Sequence, residues 1–249
     1  GEQARYAMRA LRSREDIFDI YLQPLTWGAT GWIPEYDEEK QWVDRMIEKT
    51  IAHNHQNGTY DVSLQVTIPN EWKKHAPLNI GYTAGMETTL NDAPIKIQTD
   101  IEVVNYPAKV YETLPDVSLD LKYDTNFLAV AQWSPRKNIE YMLRWFIEEF
   151  QDDEVGLVLK TNLSKNCLID REGCEGRLKS LLADLPKDRK CKVYMLHGDM
   201  SDAEMHSLYS HDKRSAFVAI PHGEGYGLPI FEAAYSGLPV VSVGWSGQL

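Results

Sequence analysis

Two carboxylates and two adjacent cations are the residues of this chain best placed to do chemistry. Glu224 lies in a turn with glycines at alternate positions, Gly223, Gly225 and Gly227, and Glu232 follows with seven residues between the two acids. Arg136 and Lys137 stand side by side after an apolar run. A carboxylate accepts two hydrogen bonds from neighbouring hydroxyls, as a ribose offers them. A cation pair neutralises two phosphates, and Arg adds bidentate geometry. A turn that opens a helix exposes free N–H groups and the positive end of the helix dipole, which suits an anionic or hydroxyl-rich ligand. For an isolated Gly-x-Gly-x-Gly the commoner reading is a structural strand-to-helix turn with two solvated glutamates. The cation pair has the same bland reading, a solvated basic pair.

The elements around these residues narrow the choice. AFVAI (residues 216–220) has strand character, Pro229 suits the first position of a helix, Gly237 is placed to end it, and PVVSV reads as the next buried strand. Upstream the pattern is regular. Strands are expected over 126–132, 155–161 and 191–197, with helices over 138–150, 177–185 and 201–210, the last opened by the capping box Ser201/Glu204. Strands alternating with helices predict an α/β fold with a doubly wound parallel sheet, and ligands at the carboxyl ends of its strands.

The full stretch GEGYGLPIFEAAYSGLPVV resembles the donor-site signature of the large retaining glycosyltransferase family of the GT-B fold, group 1 or family 4: Glu-Gly-aromatic-Gly-Leu-Pro, a second Glu eight positions on, then Gly-x-Pro-Val. The resemblance implies two Rossmann-like domains facing a cleft. It implies transfer of a sugar from a nucleotide-diphosphate donor to a hydroxyl acceptor, with retention and without metal or cofactor. Glu224 would lie beside the donor sugar, with Arg136 and Lys137 on the diphosphate. The stretch Gly225, Tyr226, Gly227 and Leu228 would approach sugar and diphosphate, and Glu232 would hold the ribose. Lys137 matches the family's Lys, while Gln132 stands where the family has Arg. HGDMSDAEM resembles the segment bordering the donor base, with Gly198 and Met200 as backbone contacts. Lys160 is a further phosphate candidate, and His222 either bonds the donor or edges the turn.

The resemblance is close over the C-terminal half and loose before it. Residues 1–121 are expected to form the acceptor-side domain with a linker near 108–123, and residues 122–249 the donor domain. Both ends look abrupt against the family, and a first strand is expected to be missing. Helices are expected over 1–11 and 35–53, the latter with an inward stripe of Trp42, Val43, Met46, Ile47, Thr50 and Ile51; strands are expected over 61–69 and 95–107, over 16–27 with a turn after it, and over 78–88 entering a small-residue turn. Many relatives carry a His in the acceptor loop. Here the loop reads Thr83, Ala84, Gly85, Met86, Glu87, so Thr83 and Glu87 are the acceptor-side candidates. Trp27 and Trp32 either stack on a sugar or cover a core edge. His53 and His55 read as surface residues.

Composition sets outer bounds. A formal net charge of −11 argues against non-specific nucleic-acid binding and a broadly basic membrane face. Three cysteines without CxxC spacing argue against a disulfide framework and for a reducing cytoplasm. No apolar run approaches a membrane span, and no signal peptide is expected. The acceptor, whether glycan, lipid or protein, is not legible. Two rival readings stand: a non-catalytic nucleotide-sugar or glycan-binding module, and an epimerase or phosphorylase on the same fold.

Overall fold

The computed structural model describes residues 2–25, 36–67, 71–83, 104 and 111–247. They fall into two compact units, one through Thr83 and one from Val104 onward. Apart from Val104, the strand expected over 95–107 lies outside the described residues, as do the tryptophans Trp27 and Trp32, and Glu87.

The first unit holds α1 (Glu2–Arg12), α2 (Glu38–His55), β1 (Val62–Val66) and β2 (Leu78–Tyr82). The Asp37 side chain caps α2 by accepting the Lys40 amide at 2.8 Å. Arg9 and Arg12 of α1 pair with Glu39 and Glu38 in the first turn of α2, where acidic side chains also complement the helix dipole. Trp42 and Thr50 are buried as expected, but Ile51 is exposed. It lies at the margin of the stripe, where a helix that packs on one side leaves an apolar residue in water. β1 and β2 pair in parallel, Leu64 against Ile80. The strand expected over 16–27 is absent from its described part. The Arg14 carbonyl instead accepts the Ile17 and Phe18 amides in a turn, and no strand among the described residues pairs with residues 18–25. Apolar and aromatic residues alone do not make a strand; a hydrogen-bonding partner must be present.

The second unit is a parallel sheet of five strands in the order β5–β4–β3–β6–β7, formed by β3 (Asn126–Val130), β4 (Gly156–Lys160), β5 (Lys192–Leu196), β6 (Arg214–Ala219) and β7 (Val240–Ser242). The chain starts in the middle, winds outward through β4 and β5, then returns to the other side of β3. That reversal is the topological switch point of a Rossmann-like sheet, and it lies between β3 and β6. Between the strands run α3 (Ile139–Phe150), α4 (Leu168–Ala183), α5 (Asp202–Tyr209) and α6 (Leu228–Tyr235).

Side chains alternate across the strands, so the sheet feeds two cores. Ala129, Leu157 and Leu159 face one cluster with Leu143 and Ile147 of α3 and Leu178 of α4. Leu128, Val158 and Phe217 face the other, with Tyr209 of α5 and Ala233 of α6. Residues 111–121, read from the sequence within the linker, belong to this unit: Leu121 is buried in the second cluster, and Pro115 accepts the Ser207 hydroxyl at 2.7 Å.

α4 begins nine residues before the start expected at position 177. Its first turns, LIDREGCEG, contain Gly173 and Gly176 and no apolar stripe. Asp170 and Cys174 are the groups buried there, and a polar inward face is invisible to hydrophobic periodicity.

α6 ends in a Schellman motif. The Gly237 amide bonds the Ala234 carbonyl and the Leu238 amide the Ala233 carbonyl, both at 3.0 Å, with Gly237 at φ +76°. A Cβ at Gly237 would meet open space, as would one at Gly176 in the exposed interior of α4. The two substitutions therefore separate backbone conformation from packing. Gly237→Ala is expected to destabilise the chain by about 1 kcal/mol through the left-handed φ, and Gly176→Ala to stabilise it by about 1 kcal/mol through helix propensity. Urea unfolding of both variants checks the opposite signs.

Candidate functional site

The loops after β3 and β6 leave the sheet at the switch point, and polar contacts tie them together. The Asn138 side chain donates to the Ile220 carbonyl at 3.1 Å, and the His222 amide donates to the Arg136 carbonyl at 2.9 Å. Asn138 has φ +56°, so the chain can close the short 3-10 turn of residues 135–137 and open α3 at once. That turn presents Arg136 and Lys137 toward the other loop.

Glu224 meets both cations. Its Oε2 accepts Arg136 Nη1 at 3.1 Å, its Oε1 accepts the Lys137 ammonium, and Arg136 Nη1 also donates to the Gly223 carbonyl at 2.6 Å. The Glu224 side chain is 10% exposed and Lys137 15%, while Arg136 is 55% exposed. The Lys137–Glu224 pair is thus largely withdrawn from water, and Arg136 forms its open edge. A cavity lined in part by Lys137, Glu224, Gly227 and Ile230 lies beside the pair.

The Glu224 backbone is pinned from the far end of the chain. Its amide donates to Ser246 Oγ at 2.6 Å, and its carbonyl accepts Ser246 Oγ at 2.9 Å and the Gly247 amide at 3.0 Å. A Cβ on Gly247 would stand 2.1 Å from the Gly225 carbonyl oxygen, so only glycine permits this approach. Ser246 and Gly247 were missed from the sequence. Their signal was a short Ser-Gly loop after the last strand, which carries no chemistry of its own.

Gly227 caps α6 at φ +74°, which a glycine adopts without strain, and Pro229 occupies the first turn as expected. Gly225 is exposed, and Leu228 opens the helix with partial exposure. The Tyr226 ring lies 5.5 Å from the Phe231 ring, so this aromatic packs onto α6. Glu232 sits one turn into α6, half-buried, beside Tyr209 of α5. Burial, and then the neighbouring Glu232 carboxylate, push the Tyr209 phenol well above its ordinary pKa, so it stays a neutral donor. The sequence left Glu232 facing solvent or a ligand; a buried phenol beside it was not legible.

A second network stands at the ends of β4 and β5. Asp170 in the first turn of α4 accepts the Leu163, Ser164 and Lys165 amides, each at 2.8 Å, and pairs with His197 Nε2 at 2.9 Å. The Cys174 thiol points at the same carboxylate from 3.7 Å. Burial, followed by the Asp170 charge, raises that thiol to about 11, so it remains protonated. Donor atoms of Asp170, Cys174 and His197 lie within 4.8 Å of one another, a spacing that a metal could bridge. The carboxylate oxygens are already consumed by three amides and an imidazole, so the cluster is a hydrogen-bond hub.

This hub braces the neighbouring loop. Lys160 donates to the Gly198 carbonyl at 2.5 Å, and the Asn166 side chain bonds Asp199. Burial pushes the Lys160 ammonium below its ordinary pKa, opposed by the charge of Asp199. Lys160 is thereby tied to the loop expected beside a base. Met200 packs its side chain against the second core. Gln132 donates to the Leu163 carbonyl at 2.6 Å. Thr83 follows β2 in the first unit and is exposed.

The structure therefore brings Arg136, Lys137 and Glu224 into direct contact, with Gly225, Tyr226, Gly227, Leu228 and Glu232 continuing from the same loop. Gly198 and Met200 stand on the other arm of the carboxyl edge, with Lys160. All three cysteines are free thiols. No helix among the described residues is long and apolar enough to cross a membrane.

No family model matches the chain, and no curated protein matches it. Among solved structures it is similar to a UDP-forming α,α-trehalose-phosphate synthase from Burkholderia xenovorans, at 12% identity and a TM-score of 0.39, over 51% of this chain and 31% of that one. The catalytic domain of starch synthase IV from Arabidopsis thaliana, bound to ADP and acarbose, matches at 19% identity and 0.33, over 52% and 24%. A GtfA/B complex matches at 13% identity and 0.33, over 82% and 34%. The matched region thus spans about a third or less of each of those chains.

The hub makes a pH prediction. Burial alone would raise the Asp170 carboxyl, but the His197 hydrogen bond and the three amides outweigh it and hold the group well below the usual carboxylate range. A depressed carboxylate stabilises the fold above its unfolded pKa, and that stability drains away as pH falls toward the folded value. Asp170→Asn is expected to cost about 3 kcal/mol at pH 7, with the gap to wild type narrowing as pH falls below about 4. Urea unfolding across that pH range checks both statements; a constant gap would refute the charge-based account.

Proposed function

We propose that this chain belongs to a GT-B glycosyltransferase of the retaining group 1 or family 4 type and carries its donor site. It would move a sugar from a nucleotide-diphosphate donor to a hydroxyl acceptor. The observation that carries the reading is the charged constellation at the switch point. Two cations and a carboxylate from the loops after β3 and β6 converge beside the N-terminus of α6, where a doubly wound sheet binds its ligands. In glycosyl transfer the leaving group is a diphosphate, and stabilising its developing charge supplies much of the rate. Arg136 and Lys137 take that role and do the neutralising work that a metal performs elsewhere, so a metal-independent transfer is proposed. Glu224 positions the sugar and Glu232 the ribose. The departing phosphate assists removal of the acceptor proton.

Residues 122–249 form the donor domain in this reading, and residues 1–121 contribute the acceptor side, with Thr83 and Glu87 as candidates. Three free thiols support a reducing cytoplasm as its setting. A second reading, a non-catalytic binding module, draws on Gln132. Where the resembled family has a phosphate-binding Arg, this side chain holds the Leu163 carbonyl instead. Release of free sugar or glycoside from a nucleotide-sugar donor separates the two, since a binding module gives none.

Thermal stability of the chain with UDP, GDP and ADP, and with their sugar conjugates, tests the donor site. A ligand at about 100 times its dissociation constant adds roughly 2.7 kcal/mol to the folded state. One nucleotide series is expected to stabilise the chain, and Glu232→Ala is expected to abolish that shift while leaving the melting temperature of the free protein within a few degrees. Lys137→Ala is expected to weaken diphosphate binding by about tenfold or more and nucleoside binding little, by loss of a charge-assisted contact. Equal losses for nucleoside and diphosphate would contradict a phosphate contact.

A further inference from the structure

We infer that Glu224 is a counter-ion latch which makes the site prefer a sugar-bearing diphosphate over a free one. The inference rests on the donor-site reading above and adds what selects the ligand. Both oxygens of Glu224 are engaged, one on Lys137 and one on Arg136, and the side chain is 10% exposed. The two cations that would hold a diphosphate are therefore already neutralised by the protein's own carboxylate.

The latch can open only at the side chain. The Glu224 backbone is fixed at both its amide and its carbonyl by Ser246 and Gly247. Arg136 offers an approach: its Nη1 holds Glu224 and Gly223, while its Nε and Nη2 groups face no hydrogen-bond acceptor among the described residues. An anion meets Arg136 first and then competes for Lys137. Once phosphate oxygens occupy Lys137, the carboxylate is left beside like charge with most of its hydration already removed, which is costly. It must turn away and find donors. Sugar hydroxyls provide them; a free nucleoside diphosphate has none to offer at that end.

A specificity follows. A nucleotide sugar compensates the displaced carboxylate, and a nucleoside diphosphate does not. Loss of the sugar on transfer lets Glu224 return to its cations, which favours release of the spent diphosphate.

The test uses inorganic pyrophosphate, which carries neither base nor sugar, in titration calorimetry on the whole chain. Glu224→Gln keeps the shape and removes the charge. Its affinity for pyrophosphate is expected to rise about tenfold over wild type, the size of one charged contact no longer opposed. Glu224→Asp, which is too short to span both cations, is expected to shift in the same direction and serves if the first variant melts early. In wild type, UDP-, GDP- or ADP-glucose is expected to bind more tightly than the matching free diphosphate, and in Glu224→Gln that preference is expected to vanish or reverse. Pyrophosphate affinity that is unchanged or lower in both variants overturns the latch, as does an absence of pyrophosphate binding in every form. A rise in pyrophosphate affinity with no nucleotide bound by any form would refute the nucleotide-sugar reading and, with it, the preference for a sugar-bearing ligand, leaving only a competition between Glu224 and phosphate for the two cations.

Discussion

The carboxylate of Glu224 cannot be left alone at 10% exposure, and this constraint organises the edge of the sheet. A charge so placed needs partners, and the partners come from a loop 87 residues earlier in the chain. The parallel order that sets β6 beside β3 is what makes the meeting possible. Once met, the ions fix the two loops against each other, together with the Asn138–Ile220 and His222–Arg136 bonds. Buried ion pairs contribute little net stability because desolvation offsets their attraction. Their effect here is positional: they hold three charged groups at one place on the edge.

A second charge plays a corresponding part on the other arm. Asp170 gathers three amides of the loop after β4 and the imidazole that follows β5. Hydrogen bonds that satisfy a buried carboxylate completely make a rigid hub, and the loop carrying Gly198 is braced against it through Lys160 and Asn166. Both networks rest on strands whose alternate side chains are locked into the two cores, so the polar groups stand on a rigid floor. A ligand lying across the carboxyl edge would meet cations at the switch point and ordered backbone beyond it.

The sequence by itself determined the alternation of strand and helix in the second unit, because apolar runs bounded by Gly, Pro and capping residues have few other solutions. The capping box at Ser201 and Glu204, the stop at Gly237 and the start at Pro229 were all legible, since each is a local interaction within one turn. Elements without an apolar stripe were not. The first half of α4 was missed because its inward face is Asp170 and Cys174, and residues 16–25 were misread because apolar content says nothing about whether a neighbouring strand exists.

The candidate site divides along the same line. Arg136, Lys137 and Glu224 could be picked out by residue type and motif, but their direct contact could not, because the pairing depends on strand order and on backbone pinned by Ser246 and Gly247. That Glu232 stands beside a neutral buried Tyr209, and that Lys160 is spent on the Gly198 carbonyl, belong to the same class of fact. Local chemistry is written in neighbouring residues and survives reading along the chain. Which charges neutralise which is settled only when the sheet closes, because burial removes water as a partner and leaves each ion to whatever the topology has placed beside it.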